Sequence, residues 1–232
     1  YYKYFLAAGQ EITYRYIPEW VFRFFIEPFY NNKQLVNAWA DKNYFDKILE
    51  SDFLPTTVFR NVNGVFLDKN YNIISIEEAV NILQDNKSYI IKPSILSGNG
   101  RKIGTIHGKD VNLIKQYQKD YIVQEKIKPN KLLGAFNENI ITDIRIVTFK
   151  FENEVHILAR VVTIEPDDKS KYRYIFVPID EEGNFAEYGV TETGDKLVEC
   201  NGIAFKDNKL PNVSIICNEL KKLHNNKLLH FG

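Results

Sequence analysis

Tyr89-Ile90-Ile91-Lys92-Pro93-Ser94, followed two residues later by Ser97-Gly98-Asn99-Gly100-Arg101-Lys102, is the stretch on which the fold turns. The first part reads as a buried strand with a lysine near its end. The second reads as a polar loop whose glycines let backbone N–H groups come close to an anion. Arg101 and Lys102 add positive charge beside it, and Lys92 is held by the strand and aimed at the same space. Backbone donors, point charges and small side chains are what a chain of phosphates requires. The same letters also describe a plain hairpin loop. The order GxxxxGK[ST] is absent, as is the GxGxxG dinucleotide fingerprint.

Working outward, Ile103 to His107 reads as a strand returning across that loop. Asp110 caps a helix that buries Leu113, Ile114 and Tyr117, and Tyr121-Ile122-Val123-Gln124-Glu125 is another strand. On the N-terminal side, Asp41 reads as a helix N-cap ahead of Tyr44, Phe45, Ile48 and Leu49. Two β-rich runs, 56–62 and 65–67, flank Asn63-Gly64, a strong hairpin signal. Ser75-Ile76-Glu77-Glu78 is a capping box, and Ile76, Ala79, Val80 and Leu83 follow at helical spacing. On the C-terminal side, 143–151 and 155–164 form a long hairpin. A strand over 173–179 ends in a turn at Glu182-Gly183-Asn184, and Val213, Ile216, Cys217, Leu220 and Leu223 mark a last amphipathic helix. Helices and strands mix without regular βαβ alternation, which places the chain in the α+β class.

The 232 residues carry 30 basic and 30 acidic side chains and no formal net charge. A duplex-DNA binder or a polybasic membrane-surface protein would carry net positive charge, so no nucleic-acid partner is expected. With 44% apolar residues the chain builds a core, and no apolar run approaches the roughly 20 residues of a membrane span. Cys200 and Cys217 are too few for a disulfide scaffold, and the four histidines are scattered, so no metal site is assigned. Low cysteine usage without a signal peptide points to the cytoplasm. No methionine occurs. The chain is therefore either a piece of a longer one or one from which modified methionines are missing. Twelve aromatics fall in residues 1–30. That density requires packing, on the rest of the protein or on a partner.

Two further stretches carry chemistry. A strand ending in Gln124-Glu125 can offer backbone groups to an adenine edge and a carboxylate to a ribose, or can simply leave the core. Asp143 and Arg145, two apart on a strand, face one side. They form either a buried salt bridge or an anion-binding arginine oriented by its neighbour.

Together, Asp41-Lys42-Asn43-Tyr44-Phe45-Asp46-Lys47, Arg60-Asn61-Val62-Asn63-Gly64, the Lys92 strand with its glycine loop, Val123-Gln124-Glu125 and Asp143-Ile144-Arg145-Ile146-Val147-Thr148 resemble the sugar-transfer-associated ATP-grasp family. The resemblance runs from about residue 16 to the end. It implies an α+β fold of two subdomains that clamp ATP, the smaller over 41–122 and the larger over 123–232, behind an aromatic extension over 1–40. It places Lys42 near the phosphates and Lys92 on the α-phosphate side. Ser97, Gly98, Asn99 and Gly100 become a loop closing over the phosphates. Gln124, Glu125 and Ile127 become the adenine hinge, and Arg145 faces the γ-phosphate or an acyl phosphate. The sequence departs from the family pattern at Asn99, Lys131, Thr142-Asp143 and Thr163. The Mg²⁺ ligands of the family belong to strands that would follow Gly232, so the 232 residues are expected to bind nucleotide weakly and not to turn over.

The implied cofactors are ATP and Mg²⁺. The implied activity is ATP-dependent ligation of a carboxylate to an amine (or thiol), small or sugar-linked, in surface polysaccharide metabolism. A kinase acting on a sugar or small molecule shares the same nucleotide residues. A non-catalytic partner of a glycosyltransferase, docking or dimerising through the aromatic N-terminus, is the third reading.

Overall fold

The computed structural model describes residues 17–49, 54–95, 102–137, 142–168 and 171–225. These divide into two compact units, one formed by 33–127 and the other by residues before 33 together with those from 128 onward. Both mix helices with antiparallel sheets, and the class is α+β.

The 33–127 unit holds β1 (Thr57–Val62), β2 (Val65–Asp68), β3 (Ile73–Ile74), β4 (Ser88–Pro93), β5 (Gly104–His107) and β6 (Tyr121–Glu125). They form one sheet in the order β3-β2-β1-β6-β4-β5, with every pairing antiparallel. Asn63-Gly64 closes the β1–β2 hairpin with φ of +49° and +92°. A type I′ turn needs positive φ at both positions, and Asn-Gly meets that need at least cost. The Ser75–Glu78 capping box is formed in both directions and starts the Ile76–Ile82 helix. One face of the sheet buries Phe59, Tyr89, Ile91, Ile106, Tyr121 and Val123 against Ala79, Leu83 and Ile114. Each such side chain contributes about 1.5–3 kcal/mol of transfer free energy.

Cross-strand register fixes what lies on the opposite face. Lys92 stands opposite Ile122, and Ile122 stands opposite Arg60, so these three form one row. β6 is the central strand, with β1 on one side and β4 on the other. The 33–127 unit thus keeps Val123–Glu125 with β1 and β4 in one sheet. The division at 32/33 assigns the Lys33–Trp39 helix to this unit.

The other unit holds β7 (Asp143–Phe151), β8 (Glu154–Ile164), β9 (Ile175–Pro178), β10 (Gly189–Thr191) and β11 (Lys196–Leu197), in the order β11-β10-β9-β8-β7. A separate two-stranded ribbon joins β12 (Glu199–Cys200) to β13 (Ile203–Ala204). Phe136, Val162, Ile164, Ile175, Val177, Phe205, Val213 and Cys217 belong to its core. The Val213–Asn225 helix packs on β7 and β8 through Val213 and Cys217. Gly183 sits at φ +89°, and a Cβ there would stand 2.2 Å from the Leu210 carbonyl oxygen. The turn therefore admits only glycine, for both strain and space. Among the described residues no helix is long and apolar enough to cross a membrane.

Candidate functional site

Two lysines 50 positions apart in sequence meet at the end of β4. Asp41 accepts a hydrogen bond from the Asn43 amide at 3.0 Å and starts a 3-10 turn over Lys42–Tyr44. The Lys42 amide donates to the Ser94 carbonyl at 2.9 Å, and the Lys42 ammonium donates to the same oxygen at 3.3 Å. Lys92 comes from β4, two residues before Ser94. Burial lowers the pKa of both lysines. For Lys92 the nearby Lys42 charge lowers it further, and for Lys42 the Asp41 carboxylate partly offsets the burial. Neither ammonium is ion-paired with a described carboxylate. The Ser94 hydroxyl, two residues after Lys92, is buried and has no hydrogen-bond partner among the described residues. Two like charges that repel each other and are partly desolvated are an unfavourable arrangement until an anion arrives.

A buried polar network holds the Lys42 segment in place. Arg60 on β1 is fully buried, and its guanidinium donates to Asp46 at 2.7 and 3.3 Å and to the Asn43 carbonyl at 2.7 Å. The Tyr71 hydroxyl donates to the same Asp46 carboxylate, and the Tyr71 ring lies 3.9 Å from the guanidinium. Burial and the Asp46 hydrogen bond push the Tyr71 phenol up to about 12. Burial alone would raise the Asp46 pKa, but the bonds from Arg60 and Tyr71 outweigh it, and the carboxyl lies below its ordinary range. The Asn43 side chain adds a bond to the Asn61 carbonyl at 3.1 Å. Asp46 and Arg60 stand in the stretches that carry the resemblance, but neither they nor Tyr71 were given a role from sequence. The signal was an arginine inside a strand that also holds Val58, Phe59 and Val62, where a buried charge requires a partner.

The remaining candidates are distributed as follows. Ser97, Gly98, Asn99 and Gly100 lie outside the described residues, as does Arg101. Lys102, just after them, is tethered through its carbonyl to the Tyr117 hydroxyl. The Gln124 amide is buried and donates to the Pro55 carbonyl at 3.1 Å and to Thr57 Oγ1 at 3.4 Å. Glu125 is opposite Tyr89, on the helix-covered face, and pairs with Lys87 at 3.3 Å. Strand alternation thus keeps the Glu125 carboxylate off the face that carries Lys92. Ile127 follows β6 and is 48% exposed. Arg145, in the other unit, donates from Nε to Asp143 at 3.3 Å, with both side chains about half exposed. The pair is therefore not a buried salt bridge. Thr163, opposite Asp143 on β8, is buried with an unpartnered hydroxyl.

A cleft of about 310 Å³ opens in the 33–127 unit, with Thr57, Asp68, Lys69, Lys87, Tyr89 and Glu125 among its walls. It includes neither Lys42 nor Lys92. Its ion pair is internally satisfied, and Asp68 already accepts from Asn70 and Asn72. The lysine pair, with its unmet need for an anion, is the stronger site. Among the described residues no group of three or more His, Cys, Asp or Glu gathers to hold a metal. The lysine pair and the Ser94 hydroxyl fit a phosphate; no metal-borne step can be built from the residues described.

No family model matches the chain, and no curated protein matches it. Among solved structures it is similar to an L-amino acid ligase from Bacillus licheniformis, with 13% identity over 61% of this chain and 28% of that one and a TM-score of 0.31. It is similar to D-alanyl-alanine synthetase A from Vibrio cholerae O1 biovar eltor str. N16961, with 8% identity, 82% and 65% coverage and a TM-score of 0.36. A third is the ATP-grasp ligase PsnB complexed with a phosphomimetic variant of minimal precursor, Mg and ADP, at 14% identity, 84% and 62% coverage and a TM-score of 0.33. The chain thus spans less than two thirds of each of these proteins' lengths. Likeness at these TM-scores assigns no activity by itself.

Proposed function

We propose that this chain is the nucleotide-binding part of an ATP-grasp protein, with Lys42 and Lys92 holding the phosphates of ATP. Within that class, the reading best supported is an ATP-dependent ligase. In it a substrate carboxylate oxygen attacks the γ-phosphorus, and the bond to ADP breaks. An amine then attacks the resulting acyl phosphate, and phosphate leaves. The lysines would offset negative charge on the transferring group, as fixed cations do in phosphoryl transfer. Mg²⁺ would neutralise the remaining phosphate charge. Arg145 would serve the acyl phosphate, and Gln124, Glu125 and Ile127 would offer main-chain groups to the base. Surface polysaccharide metabolism is the proposed setting.

The observation that carries the reading is the anchoring of Lys42 on the Ser94 carbonyl, two residues from Lys92, with both ammonium groups disfavoured by their surroundings. Calorimetric titration with ATP and ADP, with and without Mg²⁺, tests it. Lys92→Ala should weaken saturable binding by about 1 kcal/mol or more, the cost of losing a charged hydrogen-bond partner. Unchanged affinity in that variant would remove the lysine pair from the site. Amine-dependent ADP release supports the ligase, whereas phosphate found on a hydroxyl without amide formation would replace it with a kinase.

A further inference from the structure

Residues 19–30 form one unbroken helical stretch, Glu19–Val21, Phe22–Ile26 and Glu27–Tyr30, whose middle is a π-helix. The Glu27 amide reaches back five residues to the Phe22 carbonyl. That wider turn changes which residues share a face. Phe22, Ile26 and Tyr30 are half-buried, and the Tyr30 ring meets Phe149 of the same unit edge-on at 5.3 Å. Trp20, Phe24, Phe25 and Phe29 remain 54, 70, 64 and 81% exposed. Trp20 and Phe25, five apart, contact each other at 6.1 Å, as the π-turn allows.

We infer that this aromatic face docks on the same face of a second copy of the chain, with the two helices antiparallel. The first argument is the order of residues. About the midpoint between Phe24 and Phe25, Phe24 is mirrored by Phe25 and Trp20 by Phe29. An antiparallel pair therefore sets Phe24 against Phe25 of the second copy, and Trp20 against its Phe29. A two-fold contact demands this self-complementarity. The second argument is area. At roughly 150–250 Å² for each aromatic side chain, the exposed fractions come to on the order of 500 Å² a copy. A contact between two copies buries on the order of 1,000 Å², the size at which specific interfaces begin. The third argument is charge. The inversion brings Arg23 within one residue of Glu27 of the second copy. With one arginine against Glu19 and Glu27, residues 17–30 lack the basic excess that an amphipathic helix on an anionic lipid surface carries.

Sedimentation velocity of the 232-residue chain across micromolar concentrations is the test. A reversible species of twice the 27.1 kDa chain mass is expected. Phe25→Ser with Phe29→Ser should raise its dissociation constant at least tenfold, with an unchanged circular dichroism spectrum. Oxidation should cross-link Phe25→Cys, close to the two-fold axis. It should not cross-link Ile17→Cys, which is 55% exposed but far from the axis. A monomer at every concentration overturns the inference, as does a dimer that the double serine variant leaves intact. Equal cross-linking at both positions overturns the antiparallel arrangement. Conversion of a monomer to a dimer on removal of residues 1–16 assigns the face to that segment instead. Capture of the monomer by phosphatidylcholine vesicles, abolished by the same serine pair, assigns it to a lipid surface.

Discussion

The two units bury different things. The 33–127 unit buries Arg60, Asn61, Asn43 and Ser94 and leaves at least one polar atom of each without a partner. The larger unit buries neutral groups, an apolar cluster from Leu133 to Cys217 and the hydroxyls of Thr142 and Thr163, and keeps its candidate cation, Arg145, at the surface beside a carboxylate. Apolar burial yields stability with few demands on geometry. Buried polar groups cost stability unless each finds its partner. A unit that retains unmet polar groups and two neighbouring ammonium ions gives up stability where a ligand can restore it. The buried charge of Arg60 and the two partly buried ammonium groups, not the count of unpartnered atoms, are what favour the smaller unit for the proposed anion site.

The sharpest way to break this comparison is Arg60→Met. Removing one member of a buried pair costs about 3–5 kcal/mol. The low end is expected because Asp46, left behind, is 35% exposed at its side chain. Urea unfolding measures it, and a loss under about 1 kcal/mol would mean that the network is ornamental. The same network has a pH signature. The folded pKa of Asp46 is depressed, so its contribution is present above the ordinary value of 3.8 and is lost as pH falls through the folded pKa. Asp46→Asn should flatten the decline of stability below about pH 4. An acid-unfolding curve parallel to that of the parent would contradict it. In the larger unit the weak point is steric. Gly183→Ala combines a positive φ with a backbone clash and should cost roughly 1–3 kcal/mol. Thermal unfolding unchanged by that alanine would show that the turn can open.

Lys92→Met is predicted to act with opposite signs on two measurements. It removes a half-buried charge disfavoured by burial and by Lys42, so the ligand-free protein should gain stability. A gain of 1 kcal/mol corresponds to roughly 2–4 °C for a chain of this size. Nucleotide affinity should fall at the same time. A variant that loses both stability and affinity would make Lys92 a structural lysine.

Much of the fold was legible because local chemistry and tertiary packing agree. Asn63-Gly64, the Ser75–Glu78 box and the Tyr121–Glu125 strand stand where their residues put them. The position of β6 was not legible. Strand order depends on contacts between residues far apart, and nothing local in Tyr121-Ile122-Val123-Gln124-Glu125 reveals that it pairs with both β1 and β4. Lys42 and Lys92 were each readable as cations, and the resemblance set both by the phosphates; the bonds from Lys42 to the Ser94 carbonyl were not legible. Glu125 shows the reverse case. Its type suited a ribose, and a period of two placed it on the helix-covered face, paired with Lys87.

The smallest predicted effect concerns Arg145. An exposed ion pair at 3.3 Å is worth between about 0 and 1 kcal/mol, so Arg145→Ala should leave folding nearly unchanged. The proposed role at an acyl phosphate predicts a different asymmetry from that of Lys92. ATP affinity should be retained while amine-dependent turnover falls, because the group is needed only once the phosphoryl group has moved. Asp143→Asn sharpens the point. If Asp143 orients the guanidinium, this variant should reproduce part of the turnover defect without altering stability. If the two residues are only a surface pair, neither substitution will change turnover. The larger unit would then contribute its core and no chemistry at this strand, and the proposed anion site of the smaller unit would stand alone.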